Sequence, residues 1–384
     1  YGSGGYNTAV GYQALDAFTT GYQNVAVGYQ AATDLTTAYY GTYIGMYAGQ
    51  NVTTGNTNTF IGWQSGNAVT DTSNKIAIGY RAGYADGGAM DVHIGYEAGR
   101  NVTAGDNISI GRAAGQGYHG VGQTEFQANT TNRYNVSIGN FAGQRAIGAQ
   151  NVHIGHEAGM NASGSNNTFI GYEAGIGGTT SAPFSSGTNN VAMGYQALTA
   201  FTTAQRMVAI GYEAMTDTTT GQDSVAIGYQ AAYQNTDNDS VSIGLSAGYY
   251  GGAGSNVYVG YRAGSTTTGG SNTAIGNSAI RYLDAGNENV AVGNTAGSYL
   301  LGTQTTIVGS QAGRFASGSY NTFMGYRAGY GGTTSAPYSS GEDNVAVGAY
   351  ALDAFTTGTK NVALGRSAGT AVTTGFNNQY IGYN

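Results

Sequence analysis

Cysteine is absent from this chain of 384 residues, proline occurs twice, and charged residues make up only 9% of it. Without cysteine there is no disulfide framework, no thiolate zinc site and no cysteine nucleophile. The scarcity of proline excludes collagen. We expect no membrane span in this segment, because glycine or a polar residue interrupts every hydrophobic run before the roughly 20 residues that a membrane helix needs. The net charge of −7 argues against nucleic acid as a partner.

Glycine and tyrosine are in excess, with 67 and 32 copies, whereas glycine ordinarily makes up roughly 7% of a protein. Both belong to a repeated motif, which we call the pentad: Asn, a β-branched residue, a variable residue, an aliphatic residue and Gly, as in residues 24–28 and 58–62. The pentad occurs 22 times, mostly at steps of 16 or 17 residues. This period is too short for paired-helix repeats and fits one coil of a β-solenoid.

Each coil is predicted to contain two short strands and two turns. The pentad supplies the first strand, and an apolar residue followed by Thr-Thr-Gly, as in residues 18–21 and 355–358, supplies the second strand and its turn. Parallel stacking of coils about 4.8 Å apart predicts an all-β, parallel β-solenoid of about 22 coils, continuous over residues 1–384. Asn opens the pentad in 15 of the 22 copies, and we expect these side chains to hydrogen-bond from coil to coil, as Asn ladders do in cross-β stacks.

The alternation within the pentad predicts which side chains face the core. The β-branched and aliphatic positions vary little, whereas the position between them holds residues as different as Ala9, Phe60 and His93. Because strands alternate faces with a period of two, this pattern predicts that the two uniform positions face inward and the variable one, including His93 and His153, faces outward. The predicted core ladder consists of Val10, Val27, Ile44, Ile61, Ile78, Ile94, Ile110, Ile138, Ile154, Ile170, Ile210, Ile227, Ile243, Val259, Ile275, Val292, Val308, Val347, Leu364 and Ile381.

Three longer steps between pentads predict lateral loops at residues 116–134, 176–189 and 330–343. The second and third loops nearly duplicate each other and contain both prolines. Insertions in solenoids often build the binding face, although loops without a function are equally compatible with the duplication. The candidate surface contacts are Tyr118, His119, Phe126, Arg133, Pro183, Phe184, Pro337 and Tyr338.

Tyrosine directly follows the pentad glycine in 11 copies. This column is either a stacked structural seam or a face that binds sugars, and the sequence leaves its orientation open. The signals for chemistry are weaker. Two Gly-x-Ser-x-Gly segments, at residues 244–248 and 365–369, are variants of the repeat, and His153 with His156 lacks a further ligand on the same face. We therefore expect no catalytic, metal or cofactor site.

Residues 223–228, Asp-Ser-Val-Ala-Ile-Gly, and residues 239–244, Asp-Ser-Val-Ser-Ile-Gly, resemble the head repeats of trimeric autotransporter adhesins. The form at residues 7–14, Asn-Thr-Ala-Val-Gly-Tyr-Gln-Ala, is similar to arrays in bacteriophage tail fibres and bacterial surface fibres. The resemblance covers essentially the whole chain. It implies a left-handed parallel β-roll in which three chains pack side by side, although the coil here is longer than that of the adhesin heads.

The expected function is that of an extracellular fibre shaft or head, on a cell or virion surface, that adheres to a glycan or protein receptor through repeated weak contacts. Its expected partners are further copies of itself, as a homotrimer or an end-to-end filament. The principal alternative is a purely structural filament of a sheath or matrix. An ice-binding solenoid would need a flat Thr-x-Thr array, and a polysaccharide-degrading tailspike would need paired carboxylates in a lateral groove; the sequence favours neither.

Overall fold

A computed structural model of the chain describes residues 4–117, 132–178, 185–234, 238–252, 254–282, 286–332 and 339–383. The chain divides into two compact units, Tyr1–Thr203 and Ala204–Asn384, and each is a parallel β-solenoid. The prediction that they form one continuous solenoid stays a prediction. Among the residues described, no helix is long and apolar enough to cross a membrane.

Every pentad forms a strand of three residues, so each unit contains eleven strands. In the first unit these are β1 (Thr8–Val10), β2 (Val25–Val27), β3 (Thr42–Ile44), β4 (Thr59–Ile61), β5 (Ile76–Ile78), β6 (Val92–Ile94), β7 (Ile108–Ile110), β8 (Val136–Ile138), β9 (Val152–Ile154), β10 (Thr168–Ile170) and β11 (Val191–Met193). In the second they are β12 (Val208–Ile210), β13 (Val225–Ile227), β14 (Val241–Ile243), β15 (Val257–Val259), β16 (Thr273–Ile275), β17 (Val290–Val292), β18 (Thr306–Val308), β19 (Thr322–Met324), β20 (Val345–Val347), β21 (Val362–Leu364) and β22 (Gln379–Ile381).

Within each unit, consecutive strands pair in parallel with the pentads in register. Thr8, Ala9 and Val10 of β1 face Val25, Ala26 and Val27 of β2, and the same one-to-one pairing joins β21 to β22. The three longer steps do not disturb it, since β7 pairs with β8, β10 with β11 and β19 with β20 in the same register. The predicted stacking of one pentad upon the next is therefore confirmed within each unit.

The predicted direction of the side chains is wrong. The residue in the middle of each inner strand is buried, as Ala26, Phe60 and His93 are, and the residues on either side of it are exposed or half-exposed. The predicted core ladder, from Val10 and Val27 through to Ile381, therefore lies on the outer face of the sheet rather than in the core. His93 and His153, predicted to face outward, are buried.

The predicted second strand is also wrong. Residues 18–21 and 355–358 form bends, and among the described residues the strand contacts outside the pentads are isolated bridges such as Tyr22 with Tyr39 and Thr359 with Phe376. Backbone hydrogen bonds still join this side of one coil to the next, for example from Thr20 N–H to the Thr36 carbonyl at 3.1 Å. Each coil thus has one strand and a long return segment made of turns.

The pentad glycine sets the geometry of this return. Its φ is near +130°, as at Gly62, and a Cβ there would lie 2.5 Å from the carbonyl oxygen of Gly79 in the next coil. A side chain is excluded both by the backbone conformation and by the close approach of the next coil. Three residues later a small side chain is buried, Ala48 or Ala82 for example, with Ser65 in the same position donating to the Ala77 carbonyl at 2.6 Å. The predicted close contact at this position is confirmed.

Two core positions six residues apart are related, because glycine at the second position makes room for a bulky residue at the first. A bulky residue in the middle of a strand is followed by glycine, and the ring of Phe60, for example, occupies the space that a side chain at Gly66 would need. Alanine in the middle of a strand is followed in several coils by a larger residue, as with Ala192 and Leu198. The bulky residues with a glycine partner are Tyr43, Phe60, His93, His153, Phe169, Tyr258, Ile307 and Phe323.

The predicted asparagine ladder is confirmed, and its principal bonds run from side chain to backbone. Asn24 N–H donates to Asn7 Oδ1 at 2.8 Å, and Gly41 N–H donates to Asn24 Oδ1 at the same distance. The Asn24 amide nitrogen donates to the Ala38 carbonyl at 2.8 Å. One side chain thus satisfies two backbone groups of the next coil, which would otherwise be buried without partners.

Transferring the core pair of one coil into its neighbour tests this compensation. We expect Phe323→Ala to lower the free energy of unfolding by about 3–5 kcal/mol, the usual result of emptying a buried phenylalanine site. Gly329→Leu alone is also destabilising, because the new side chain would overlap the Phe323 ring. The double variant reproduces the Ala346 and Leu352 pair of the next coil, so we expect it to recover more than half of the loss from Phe323→Ala. Chemical denaturation measures all three, and additive losses would contradict the compensation.

Candidate interaction surfaces and a buried charged cluster

Two apolar columns lie on the outer face of the sheet in each unit. We call the first residues of the strands the first outer column and the last residues the second outer column. The first contains mainly Val and Thr, and the second contains Ile, Val, Leu and Met. In the inner coils several of these side chains are exposed, for example 40% at Ile275 and 43% at Met324, and the others are partly buried. The surface is therefore a regularly spaced, largely apolar face.

The tyrosine column that follows the pentad glycines lies on the outside of the coils, which settles its orientation. Tyr80 and Tyr96 stack with ring centroids 4.7 Å apart and planes 5° from parallel, and Tyr212 and Tyr229 stack at 5.0 Å. The rings are roughly half-exposed. Because ring faces within a stack cover one another, the column presents mainly ring edges and hydroxyl groups to solvent.

A lateral groove of about 360 Å³ lies in the second unit. Tyr249, Tyr250, Arg262, Arg281 and Tyr282 line it, together with the polar side chains of Gln230, Ser246, Ser265 and Thr266. The Arg281 guanidinium lies 4.7 Å from the centre of the Tyr282 ring. Among the described residues neither arginine forms a salt bridge, so the groove combines aromatic edges, hydroxyl groups and two positive charges.

Most of the predicted loop contacts fall outside the described residues: Tyr118, His119, Phe126, Pro183, Phe184, Pro337 and Tyr338. Of the predicted contacts only Arg133 is described; it is exposed, lies over the Tyr134 ring at 5.1 Å and pairs with Asp106 at 3.2 Å. The bases of the two duplicated loops are alike. Ser185 and Ser339 each accept a hydrogen bond from a loop glycine and donate to the carbonyl of a core phenylalanine.

His153 and His156 do not form a common site. His153 is buried and its ring stacks on Phe169 at 5.7 Å, whereas His156 is on the surface and stacks on Tyr172 at 5.1 Å. Burial lowers the pKa of His153 to about 4, since an imidazolium ion would lose its hydration there. Its strand neighbours Ser137 and Phe169 carry no charge that could compensate.

Four ionisable side chains meet inside the first unit, and we call them the buried charged cluster: Lys75, Asp86, Asp91 and His93. Each is at most 2% exposed. Lys75 Nζ lies 2.6 Å from Asp86 Oδ2 and 3.8 Å from Asp91 Oδ2, and His93 Nε2 lies 3.0 Å from Asp86 Oδ2. Lys75 and Asp91 occupy the Asn position of successive pentads, so a pair of opposite charges replaces two amides of the ladder.

The surrounding backbone fixes this cluster. Lys75 Nζ also donates to the Asp86 carbonyl at 2.7 Å, Gly88 N–H donates to Asp86 Oδ1 at 3.0 Å, and Asn107 N–H donates to Asp91 Oδ1 at 2.8 Å. Burial would raise the pKa of Asp86, but Lys75 and His93 outweigh it and hold the pKa below its usual value. Burial raises the pKa of Asp91 to about 7, and the Asp86 carboxylate adds to this shift. The second carboxyl group therefore takes up a proton far more readily than the first.

The two aspartates and His93 each place one ligand atom within 4.8 Å of the others, a spacing compatible with a metal ion. The ammonium group of Lys75 already lies between the two carboxylates, so the cation of this cluster is supplied by the chain itself. The sequence pointed to none of these four residues as a site. The signal that could have found them is the exchange of Asn for Lys and then Asp in successive pentads, with one of the chain's few histidines two residues later.

Comparison of the sequence with protein-family models and with curated proteins gave no match.

Lowering the pH should destabilise the chain through His153. The unfolded histidine has a pKa of 6.5 and the folded one about 4, so between these values the unfolded state binds more protons and acid favours unfolding. We expect this group to remove about 1.4 kcal/mol of the free energy of unfolding per pH unit within the window. His153→Phe, which copies Phe169 of the next coil, should lack this contribution.

Denaturant unfolding between pH 7 and pH 4.5 measures the effect. The matched control is His156→Gln, which changes a surface histidine and should keep the pH dependence of the parent chain. An identical pH dependence in His153→Phe and the parent would contradict the assignment.

Proposed function

We propose that the chain is the shaft or head of an extracellular fibre, assembled as a side-by-side homotrimer and adhering to cell-surface saccharides through repeated weak contacts. The observation that carries this proposal is the pair of outer columns, an apolar face that is repeated in every coil. The proposal includes no catalytic step.

The spacing of the outer columns favours a further copy of the same chain as the partner. The columns offer an apolar side chain at each coil, about every 4.8 Å, and a matching surface must have the same spacing over the same length. A parallel copy of this chain meets that requirement at every coil. Covering a half-exposed Val or Ile contributes roughly 1 kcal/mol, so the association energy grows with the number of coils.

The difference between the two outer columns favours a closed ring of three chains. In a parallel ring the first outer column of one chain meets the second outer column of the next, which is a heterologous contact. Thr and Val side chains of one column would then pack between the longer Ile, Leu and Met side chains of the other. The resemblance to trimeric adhesin heads points to the same arrangement.

Three lysine substitutions on one outer column test the assembly. Ile227, Ile243 and Ile275 belong to the second outer column and are 36–40% exposed, so a single chain loses little core packing when they change. We expect the parent chain to sediment at three times the chain mass. The variant Ile227→Lys, Ile243→Lys, Ile275→Lys should sediment as a folded monomer, because its three ammonium groups would have to pack against the apolar column of the neighbouring chain.

The matched control carries Thr220→Lys, Ser255→Lys and Ser271→Lys, three exposed positions of the same unit outside the strands, and should remain trimeric. A monomeric parent chain, or a triple isoleucine variant that stays trimeric, would contradict the proposal. Indefinite end-to-end growth of the parent without any surface binding would favour the alternative, a structural filament of a sheath or matrix.

The lateral groove is the proposed adhesive contact. Hydroxyl groups, tyrosine edges and guanidinium groups are suited to hydrogen-bond the hydroxyl and carboxylate groups of an acidic saccharide. Three copies per fibre would raise the avidity of a weak individual site. We therefore infer that acidic oligosaccharides are its ligands.

Binding to an array of neutral and acidic glycans tests this contact. We expect the parent to bind acidic glycans and the variant Arg262→Ala, Arg281→Ala to lose at least about tenfold, as expected when charge-assisted hydrogen bonds are removed. The control Arg366→Ala removes an exposed arginine outside the groove and should bind like the parent. Equal binding by the groove variant and the parent would exclude the groove, and turnover of any glycan would overturn the non-catalytic assignment.

A further inference from the structure

The buried charged cluster places an amine directly against a carboxyl group in a site closed to water. Lys75 immediately precedes β5, and Asp86 lies in the return segment between β5 and β6. The Lys75 Nζ to Asp86 Oδ2 contact of 2.6 Å is the shortest ion pair with two buried partners in the part of the chain that the structure describes. The hydrogen bond from Nζ to the Asp86 backbone carbonyl at 2.7 Å holds the amine on this residue.

We propose that Lys75 and Asp86 condense spontaneously to an intramolecular isopeptide bond that closes this coil covalently. The bond between Lys75 Nζ and Asp86 Cγ forms, and the bond between Cγ and Oδ2 breaks. Oδ2 leaves as water with two of the three ammonium protons, and the third stays on the amide nitrogen. Nothing is oxidised or reduced, so the step needs no cofactor.

The neighbouring groups match the steps of this condensation. One ammonium proton passes directly to Oδ2 across the short contact. Asp91 Oδ2, 3.8 Å from Nζ and without a hydrogen-bond partner, takes the proton that the attacking nitrogen releases and returns it to the leaving oxygen. Gly88 N–H donates to Asp86 Oδ1 at 3.0 Å, where negative charge develops in the tetrahedral intermediate.

His93 supports the departure of water. Its Nε2 lies 3.0 Å from Oδ2, and with the proton on Nε2 the ring hydrogen-bonds the oxygen that leaves. The ring nitrogen Nδ1 then carries no proton. This agrees with the structure, in which no acceptor among the described residues lies within hydrogen-bond distance of Nδ1.

Burial favours the amide over the ion pair. Removing two charges from water costs several kcal/mol per ion, which their attraction offsets only in part, whereas the amide carries no charge. Fixed contact between the reacting groups supplies the high effective concentration of an intramolecular reaction. Exclusion of water from the cluster disfavours hydrolysis of the product.

The mass of the denatured full-length chain tests the proposal. We expect a mass lower than that of the sequence by one water molecule. The chain has only two lysines, Lys75 and the exposed Lys360, so an amine-specific label applied to the denatured chain should modify one lysine instead of two. Trypsin should fail to cut after Lys75 and should cut after Arg81, leaving residues 1–81 joined to residues 82–100.

Amine labelling also separates this bond from cyclisation of Asp86 onto its own backbone before Gly87, which loses one water as well but leaves Lys75 free. Lys75→Arg keeps the charge and cannot condense, so its mass should equal that of its sequence, as should the mass of Asp91→Asn. Lys360→Arg is the matched control and should show the loss of water and no lysine that can be labelled. The full sequence mass in the parent chain, or two labelled lysines, would overturn the proposal.

Discussion

Each side chain in this fold has the equivalent side chain of the next coil as its nearest neighbour, and this constraint decides which residues the chain can use. A charge repeated at one position would build a column of like charges, which destabilises stacked strands. Several charges accordingly have a complementary neighbour in the next coil, such as Lys75 above Asp91 and Arg206 beside Asp223. Uncharged groups can repeat freely: asparagines bond from coil to coil, and tyrosines stack at about the strand spacing.

The sequence alone predicts the register of the fold, because register depends only on the recurrence of a motif. The 22 pentads became 22 strands with the predicted pairing within each unit, and the small residue after each turn and the asparagine ladder are where they were expected. The return segment was mistaken for a strand because an apolar residue followed by Thr-Thr-Gly is compatible with both. A strand and a return segment differ only in the hydrogen bonds that they form with the next coil, and no residue pattern predicts those bonds.

The direction of the strand side chains could not be predicted from alternation, since a period of two separates two faces without saying which is inside. The prediction took the two positions with uniform residues to be the buried ones. The uniform positions instead lie outside, and the variable position is buried. Where that buried residue is bulky, glycine six residues later makes room for it, as Gly49 does for Tyr43. That covariation was present in the sequence and would have corrected the prediction. Uniform Val and Ile on an outer face are the feature from which we propose association with further copies of the chain.

A solenoid is stabilised mainly by contacts between nearest coils, so one poor interface weakens the array at that point. The coils that contain β5 and β6 are such a point, because Lys75 and Asp91 replace the ladder amides with charges at a buried site. An ion pair in contact with water costs little free energy. A buried pair is stable only when neighbouring groups replace the hydration that both ions have lost. The backbone bonds to Asp86 and Asp91 and the ring of His93 provide that compensation. Most other coils place an amide at this position, whereas this pair of coils brings four ionisable groups together. Packing alone does not account for the difference, and the proposed condensation of Lys75 with Asp86 does.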